Sequence, residues 1–306
     1  MTTNWDGVTA ALAEHGWQAR VVAAGRLDDV RAGVARTLDS GALPAPAASH
    51  LAEEVAFTLP EGMEAARSVV IGAVARPLTQ ATLKLGGTEH TVPVPPHYAG
   101  YYTVPDQLTA VVAAALAPSG HRAVRFEPPL KTLAAGSGLA RYGRNNIAYV
   151  PGLGSYLLFA ACATDAPPPD DAAWDEPLEL ERCERCSACL RACPTGAIQA
   201  DRFLLHTERC LTLVNEDRAP FPEWVDPAWH TCAVGCLRCQ QVCPENAGIR
   251  LTVDPPELFD ERESTAILAA TDHAELTAAT LDKLERCGLD YSPDLIARNL
   301  TALLRG

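Results

Sequence analysis

The stretch Cys183–Pro194, which reads C-E-R-C-S-A-C-L-R-A-C-P, is the most informative part of this chain of 306 residues. Its pattern, C-x2-C-x2-C-x3-C-P, places three thiolates on a tight turn, where they can bind three irons of one four-iron cluster. The fourth cysteine, Cys193, precedes a proline and is directed at a different cluster. The pattern therefore predicts two 4Fe-4S clusters with crossed ligands.

A partial copy of the motif follows at Cys236, Cys239 and Cys243. Crossed ligation predicts that the first cluster is bound by Cys183, Cys186, Cys189 and Cys243. The second cluster is then expected on Cys193, Cys236, Cys239 and one more cysteine. Cys210 and Cys232 are the candidates for that last ligand. Cys232 does not fit the regular repeat, because three residues rather than two separate it from Cys236.

Other interpretations of these cysteines are weaker. Nine of the eleven cysteines lie between residues 183 and 243, whereas disulfide frameworks are typical of small secreted chains. A zinc site does not need a Cys-Pro pair that crosses between two motifs. The isolated Cys162 and Cys287 are expected to be ordinary buried thiols.

Composition narrows the class of protein. No stretch of about 20 apolar residues is present, so no membrane-spanning helix is expected. The first residues lack the basic and apolar regions of a signal peptide. Because cytoplasmic thiols stay reduced, a cytoplasmic protein is expected. A net charge of −13 argues against tight binding to nucleic acid, which depends on neutralising phosphates, but a local basic patch could survive a negative total.

The predicted fold class is α+β, with three regions along the chain. Residues 1–170 alternate helical and strand-like patterns, which favours an α/β domain. Residues 178–250 hold the cluster motifs and form a ferredoxin-like domain, and residues 251–306 form a short helical tail. A linker rich in Pro and Asp is predicted at 163–177.

Hydrophobic periodicity predicts the individual elements. Helices are expected at 6–15, 27–38, 47–54, 105–117, 272–287 and 292–304. Strands rich in Val, Ile, Leu or aromatic residues are expected at 19–23, 68–74, 90–94, 123–126 and 156–163.

A glycine-rich segment, 136–156, precedes the cluster motifs. Its glycines allow a backbone to approach a ligand closely, and Asn145, Arg144 and Ser155 supply polar groups. The segment predicts a loop that holds a large polar cofactor. A glycine-rich surface loop without a ligand is the alternative. The segment is not a dinucleotide fingerprint, because no G-x-G-x-x-G lies between a strand and a helix.

Several of these segments together resemble the epoxyqueuosine reductases, which are related to reductive dehalogenases. The resemblance rests on G-L-A-R-Y-G-R-N-N (138–146), G-S-Y (154–156), the first cysteine motif, R-C-L-T (209–212) and G-C-L-R-C-Q-Q-V-C-P-E-N (235–246). It covers residues 120–250 well and the tail weakly, through A-R-N-L-T-A-L-L (297–304).

The resemblance implies a cobalamin-binding domain like that of reductive dehalogenases and nitroreductases, followed by the two-cluster domain. It makes Cys210 the last ligand of the second cluster and leaves Cys232 without a ligand role. The positions that it places at or near the corrin, the ring system of cobalamin, are Gly143, Arg144, Asn145, Ser155, Tyr156, Thr212 and Leu237. Shielding of the clusters is expected from Leu190, Ile198, Leu211 and Val242.

The chain also departs from the family pattern. Arg144 replaces the family's lysine, and the proton-donating aspartate has no clear counterpart. Glu127 is the nearest acid and could donate a proton if it were buried beside an apolar ring; the alternative is a surface acid before a proline turn. His97 and Tyr98 are further candidates, although each could instead be a packed core residue. The family's tRNA-modifying members also carry a helical-repeat domain that grips RNA, and this domain is not recognisable here.

The sequence therefore leaves three functional hypotheses. The first is a reductase that passes electrons through two 4Fe-4S clusters to cobalamin and reduces a small electrophile, such as an epoxide or a halide. The second is an electron-transfer or cobalamin-handling protein without substrate chemistry of its own. The third is an epoxyqueuosine-tRNA reductase. Reduced ferredoxin or flavodoxin is the expected electron donor, and the acidic charge makes tRNA an unexpected partner.

Overall fold

The computed structural model describes residues 3–54 and 57–305. The chain divides into two compact units, each assembled from separate segments. The first unit comprises Met1–Ala75 and Tyr102–Cys186, and the second comprises Arg76–Tyr101 and Ser187–Gly306. This division differs from the three consecutive regions predicted at 1–170, 178–250 and 251–306. Residues 76–101 and the predicted tail both pack in the same unit as most of the cluster motifs.

The elements of the first unit alternate along the chain. Its helices are α1 (Trp5–Glu14), α2 (Leu27–Asp39), α3 (Ala45–Glu54), α4 (Val104–Leu116) and α5 (Leu130–Gly136). Its strands are β1 (Trp17–Ala23), β2 (Ser68–Ala75), β5 (Ala123–Phe126), β6 (Arg141–Tyr142), β7 (Ala148–Tyr149) and β8 (Leu157–Thr164).

A four-stranded sheet of order β1-β2-β8-β5 forms the centre of this unit, and every neighbouring pair is antiparallel. The sequence S-V-V-I-G-A-V-A of β2 is apolar at nearly every position, because helices cover both faces of the sheet. Val70 packs with α1 and α4 on one face, and Val69 and Ile71 pack with α2 and α5 on the other. Cys162 of β8 is fully buried, as predicted.

The second unit contains a smaller sheet and the remaining helices. Its strands are β3 (Thr79–Leu85), β4 (Thr88–Val94) and β9 (Glu257–Phe259), and its helices are α6 (Ala188–Ala192), α7 (Leu211–Glu216), α8 (Arg238–Gln241), α9 (Glu261–Leu268), α10 (Ala278–Cys287) and α11 (Pro293–Leu303). The sheet has the order β4-β3-β9, with an antiparallel hairpin and a parallel third strand.

The hairpin β3–β4 explains why residues 76–101 leave the first unit. Its apolar side chains, including Leu83 and Val94, pack in one core with Phe259, Leu284 and Leu300 from the C-terminal part of the chain. The predicted tail is therefore part of a core rather than an appendage. Cys287 lies in that core and is 1% exposed, which confirms that it is a buried thiol.

Most predicted elements are present with boundaries within a few residues. The sequence patterns missed the strands β3, β6, β7 and β9 and the helices α5, α6, α7, α8 and α9. The predicted linker 163–177 is partly packed, since Trp174 contacts the core of the first unit and the amide of Asp175 donates to the carbonyl of Gly136. No helix among the described residues is long and apolar enough to cross a membrane.

Leu108 offers a direct test of the packing in the first unit. It is 0% exposed in the cluster formed by α1, α4 and the sheet. We expect Leu108→Ala to lower the free energy of unfolding by about 2–5 kcal/mol, because the lost methyl groups leave a cavity. Anaerobic urea denaturation followed by circular dichroism measures the change. Leu178→Ala is the control, because Leu178 is 53% exposed. Equal effects of the two substitutions would contradict the packing described here.

Candidate functional site

The cysteines of the cluster motifs differ in exposure from the other cysteines. All eight predicted ligands, Cys210 included, are partly exposed, whereas Cys162, Cys232 and Cys287 are buried. A cluster ligand must direct its sulfur out of the surrounding core towards iron. The exposure pattern therefore separates the two candidates for the last ligand and favours Cys210.

Three cysteines of the second unit lie close enough for their charges to interact. The thiols of Cys193, Cys210 and Cys236 interact electrostatically with one another. They come from three separate segments. Cys193 directly follows α6, Cys210 directly precedes α7, and Cys236 lies just before α8. This convergence is the arrangement that one shared cluster requires.

Hydrogen-bond donors surround these sulfur atoms. The Cys193 thiol receives hydrogen bonds from the Thr195 hydroxyl and from the backbone amides of Thr195, Ala197 and Ile198. Burial alone would raise the pKa of Cys193, but these bonds outweigh it and the pKa is lowered. Such donors stabilise thiolate ligands and raise the reduction potential of a cluster.

Cys210 is surrounded in a similar way. Burial raises its pKa, although the Thr212 hydroxyl and the amides of Thr212 and Leu213 donate to its sulfur and oppose that effect. Burial likewise raises the pKa of Cys236, against an amide bond from Arg238. Thr212, predicted to lie near a corrin, thus contacts a cluster ligand.

Cys232 has a different environment. It is 1% exposed, and burial raises its pKa to about 12, so the thiol is neutral. A buried, neutral thiol is typical of a structural cysteine. Among the described residues, no group of three or more His, Cys, Asp or Glu converges on a single metal ion. Thiolates of a four-iron cluster stand further apart than ligands of one ion, because each binds a different iron.

Arg144 contacts the first cluster motif within the first unit. Its guanidinium donates to the backbone carbonyl of Cys183 and, at 2.9 Å, to that of Cys186. Its backbone amide lies 3.4 Å from the sulfur of Cys183. The planar fork of arginine suits two carbonyls, which the single ammonium of lysine cannot match. The side chain predicted to hold a corrin is therefore engaged on the cysteine turn.

The glycine-rich segment forms a short hairpin between β6 and β7. The Asn145 amide donates to the hydroxyl of Tyr149 at 2.9 Å, and Asn145 is 2% exposed. A side chain at Gly143 would overlap Asn145 and Tyr149. Gly136 is likewise covered by Trp174. These two glycines are thus required by internal packing, which the sequence alone did not reveal.

The other predicted cofactor contacts are mostly buried. Ser155 and Tyr156 are each 7% exposed, and Leu237 is 1% exposed. The polar side chains of Arg144 and Asn145 make their hydrogen bonds within the protein. These two residues can therefore contact a corrin through their backbone atoms but not through their side chains.

The three predicted catalytic residues do not form an acid site. Glu127 is exposed and pairs with the guanidinium of Arg125, so it is a surface acid rather than an acid buried beside an apolar ring. Tyr98 is 4% exposed and donates its hydroxyl to the carboxylate of Glu216. Burial, followed by the Glu216 charge, raises the Tyr98 pKa well above its usual value. His97 stacks against Tyr98, with ring centroids 4.2 Å apart.

The expected shielding of the clusters is found in part. Ile198 and Leu211 are each 4% exposed, whereas Val242 is 44% exposed. Val242 directly follows the four-residue helix α8 and precedes Cys243. Sequence reasoning also missed Asn215, Glu216 and Asn299, whose contacts link distant segments. The only signal was the A-R-N-L-T similarity that contains Asn299.

Comparisons with known proteins agree with this picture. Residues 182–246 match a family described as the 4Fe-4S double cluster binding domain. The epoxyqueuosine reductase of Pseudomonas aeruginosa PAO1 is 31% identical over 191 residues, which are 60% of this chain and 52% of that protein. The chain thus spans about half the length of this curated relative.

Solved structures show the same fold. An epoxyqueuosine reductase from Streptococcus thermophilus superposes with a TM-score of 0.67 at 19% identity, over 99% of this chain and 81% of that one. An epoxyqueuosine reductase with an epoxyqueuosine-modified tRNA-Tyr stem loop has a TM-score of 0.64 at 19% identity, over 98% of this chain and 80% of that one. The predicted resemblance is therefore confirmed: the chain is similar in sequence to an epoxyqueuosine reductase and shares the fold of such enzymes, and its residues 182–246 match a double 4Fe-4S cluster binding domain.

Proposed function

We propose that this chain is a cobalamin-dependent iron–sulfur reductase that removes an epoxide oxygen from an epoxyqueuosine-type nucleoside in tRNA. The observation that carries the proposal is the double-cluster domain at 182–246, found within a chain similar to a curated epoxyqueuosine reductase. Similarity to an epoxyqueuosine reductase supports this reaction class. Reduction of an epoxide to an alkene consumes two electrons and two protons and releases water.

This proposal changes the order of the sequence-based hypotheses. The expectation that tRNA is not a partner is at odds with the likeness to a reductase that carries a tRNA stem loop. That expectation relied on a net charge of −13, which describes the whole chain rather than one surface. The relatives give no specific support to a free small molecule as the substrate, so the tRNA-borne epoxide now leads.

The electron path uses the chain's cysteines. Cys183, Cys186, Cys189 and Cys243 hold the first cluster, and Cys193, Cys210, Cys236 and Cys239 hold the second. Reduced ferredoxin or flavodoxin supplies electrons to the clusters. Hydrogen bonds to the sulfur atoms of Cys193 and Cys210 favour the reduced form of the second cluster, because they offset negative charge on the thiolates.

Cobalamin, when bound, supplies a low-valent cobalt that can reduce an epoxide. The positions proposed to hold it are Gly143, Arg144, Asn145, Ser155, Tyr156, Thr212 and Leu237. Arg144 and Asn145 contribute through their backbone, because their side chains are engaged elsewhere. Thr212 donates to the sulfur of Cys210 and so positions a ligand of the second cluster.

A second candidate function is favoured by the contacts that the predicted proton donors make within the protein. Glu127 is paired with Arg125, and the Tyr98 hydroxyl is committed to Glu216. A chain without a proton donor of its own would serve as an electron-transfer or cobalamin-handling protein. Two basic side chains that could contribute to a local basic patch also have partners in the protein, since Arg141 lies 3.4 Å from Glu181 and Lys131 donates to the carbonyl of Asn146.

The proposed function is tested with the reconstituted holoprotein. After anaerobic reconstitution with iron and sulfide, cob(II)alamin is titrated and followed by electron paramagnetic resonance. We expect about eight irons per chain, as two four-iron clusters require, and one retained corrin without lower-ligand nitrogen splitting. With a chemical reductant, an epoxyqueuosine-modified anticodon stem loop should then be converted to the alkene nucleoside.

The control is the same stem loop with unmodified guanosine, which should remain unchanged. Turnover of the free epoxynucleoside but not of the stem loop would restore the small-molecule hypothesis. Eight irons and a bound corrin without turnover of either substrate would favour the second candidate. Eight irons without a retained corrin would refute the reductase proposal.

The last ligand of the second cluster is tested by paired substitutions. We expect Cys210→Ser to lower the iron content to about half and to remove the signal of one cluster, because a serine hydroxyl replaces a thiolate. Cys232→Ser should leave iron content and both signals unchanged, because the buried Cys232 thiol is neutral. Iron analysis and electron paramagnetic resonance distinguish the two. The reverse pattern would assign Cys232 as the ligand.

Arg144 is proposed to position the first cluster rather than the corrin. Arg144→Lys keeps the positive charge but loses the fork that binds the carbonyls of Cys183 and Cys186. We expect a reduction potential shift for the first cluster, with corrin affinity changed less than twofold. Redox titration and cobalamin titration measure the two effects. Arg141→Lys is the control, because Arg141 is exposed and makes only a loose ion pair. Weakened corrin binding with an unshifted cluster would contradict this assignment.

A further inference from the structure

Two side chains of α11 bind the carboxyl end of α7. The Asn299 amide donates to the carbonyl of Asn215 at 2.8 Å, and the Arg298 guanidinium donates to the carbonyl of Val214 at 3.1 Å. The last carbonyls of a helix have no partner within the helix, so they need such donors. Because α7 begins directly after Cys210, α11 fixes the helix that carries this cysteine.

Arg298 and Asn299 are themselves held in place. The Asn299 side-chain oxygen accepts from Arg298 at 2.9 Å, and Asn299 is 0% exposed. The Arg298 guanidinium lies over the ring of Phe221, 4.1 Å from its centroid, and also donates to the carbonyl of Ala219. The contact between α11 and α7 is therefore built from ordered groups and not from a mobile surface side chain.

Asn215 extends the connection to a second ligand segment. Its side-chain amide donates to the carbonyl of Gly235 at 2.7 Å, and Gly235 directly precedes Cys236. Asn215 is 1% exposed, and its side-chain oxygen has no hydrogen-bond partner among the described residues. A buried oxygen without a partner costs free energy. The favourable contribution of this side chain is thus its single bond to the segment that carries Cys236.

Tyr98 makes a parallel connection between the same two segments. Its hydroxyl donates to Glu216, the last residue of α7, and its ring lies against Gly235, where any side chain would overlap it. Gly235 has a φ of +64°, which also disfavours other residues. Tyr98 comes from the turn after β4, so the hairpin segment takes part in this contact.

We propose that Asn299, Asn215 and Tyr98 form a brace that fixes Cys210 relative to Cys236 and thereby positions the second 4Fe-4S cluster. The inference rests on the proposed ligand set. These three are positioning residues, since they act through backbone next to the ligands and do not touch the cluster themselves. The brace explains why residues 76–101 and α11 share one unit with the cysteine motifs. A cluster held by three separate segments needs such cross-links to fix the distances between its ligands.

The brace is tested in the reconstituted holoprotein with Asn215→Leu and Tyr98→Phe. Asn215→Leu is similar in size and removes both the amide donor and the unpartnered oxygen. Tyr98→Phe keeps the ring and removes the hydroxyl. We expect each variant to shift the midpoint reduction potential of the second cluster by at least about 59 mV. For one electron, this shift is a tenfold change in the ratio of oxidised to reduced cluster. The midpoint of the first cluster should stay within error.

Asn4→Ala is the control for general destabilisation. Asn4 caps α1 in the first unit by accepting from the amide of Gly7, so its loss weakens the fold away from the cysteines. We expect a lower melting temperature for this variant and unchanged spectra of both clusters.

Asn299→Leu should behave like Asn215→Leu, because it removes the hydrogen bond from the Asn299 side chain to the carbonyl of Asn215.

The outcomes separate this inference from the proposed ligand set. A wild-type chain that holds no second cluster would contradict the ligand set before any variant is considered. A wild-type chain with two clusters, together with variants whose second cluster has an unchanged spectrum and midpoint, would refute the brace alone. Equal shifts in both clusters would also refute it, because the contacts described here reach only Cys210 and Cys236.

Discussion

The binding of two clusters by one short chain is the constraint on which the rest of the structure depends. In the proposed ligand set each cluster takes ligands from both cysteine motifs, so segments far apart in sequence must meet with their sulfur atoms at fixed distances. Cysteines alone cannot provide this order. Backbone amides and the hydroxyls of Thr195 and Thr212 donate hydrogen bonds that stabilise the thiolates. The Arg144 guanidinium binds backbone carbonyls of the first cysteine turn and so fixes its geometry.

The sequence predicts those features that arise from short-range patterns. The cysteine spacing identifies the cluster domain, and the apolar runs of β2 and β8 identify the central sheet, because both patterns are complete within a few residues. Strand β3 was missed because its seven residues, T-Q-A-T-L-K-L, mix polar with apolar side chains. Of the two alternatives for Glu127, a buried acid and a surface acid, the structure shows the surface acid, because its partner Arg125 lies two residues earlier at the end of the same strand. The bond from Asn299 to Asn215 joins positions 84 residues apart, and no local pattern reports such a pairing.

Charge illustrates the difference between a global and a local property. The chain carries a net charge of −13, and this total argued against tRNA as a partner. A total charge does not describe any single surface, however, and the proposed function requires one surface that accepts a tRNA. Among the described residues, Arg141, Arg144 and Lys131 each have a partner in the protein. A tRNA surface on this chain would thus have to use other groups, or exchange these partners for phosphates.

The interleaving of the two units has a consequence for biosynthesis. The chain passes from one unit to the other after Ala75, returns at Tyr102 and leaves again after Cys186, within the first cysteine motif. A ribosome releases the chain from the amino end at about 5–20 residues per second. All the motif cysteines therefore emerge before α11, whose Asn299 and Arg298 hold the end of α7. During those seconds the thiols stand on an incomplete unit, exposed to oxidants and stray metals. The contacts that hold the end of α7 can therefore form only after synthesis has passed α11.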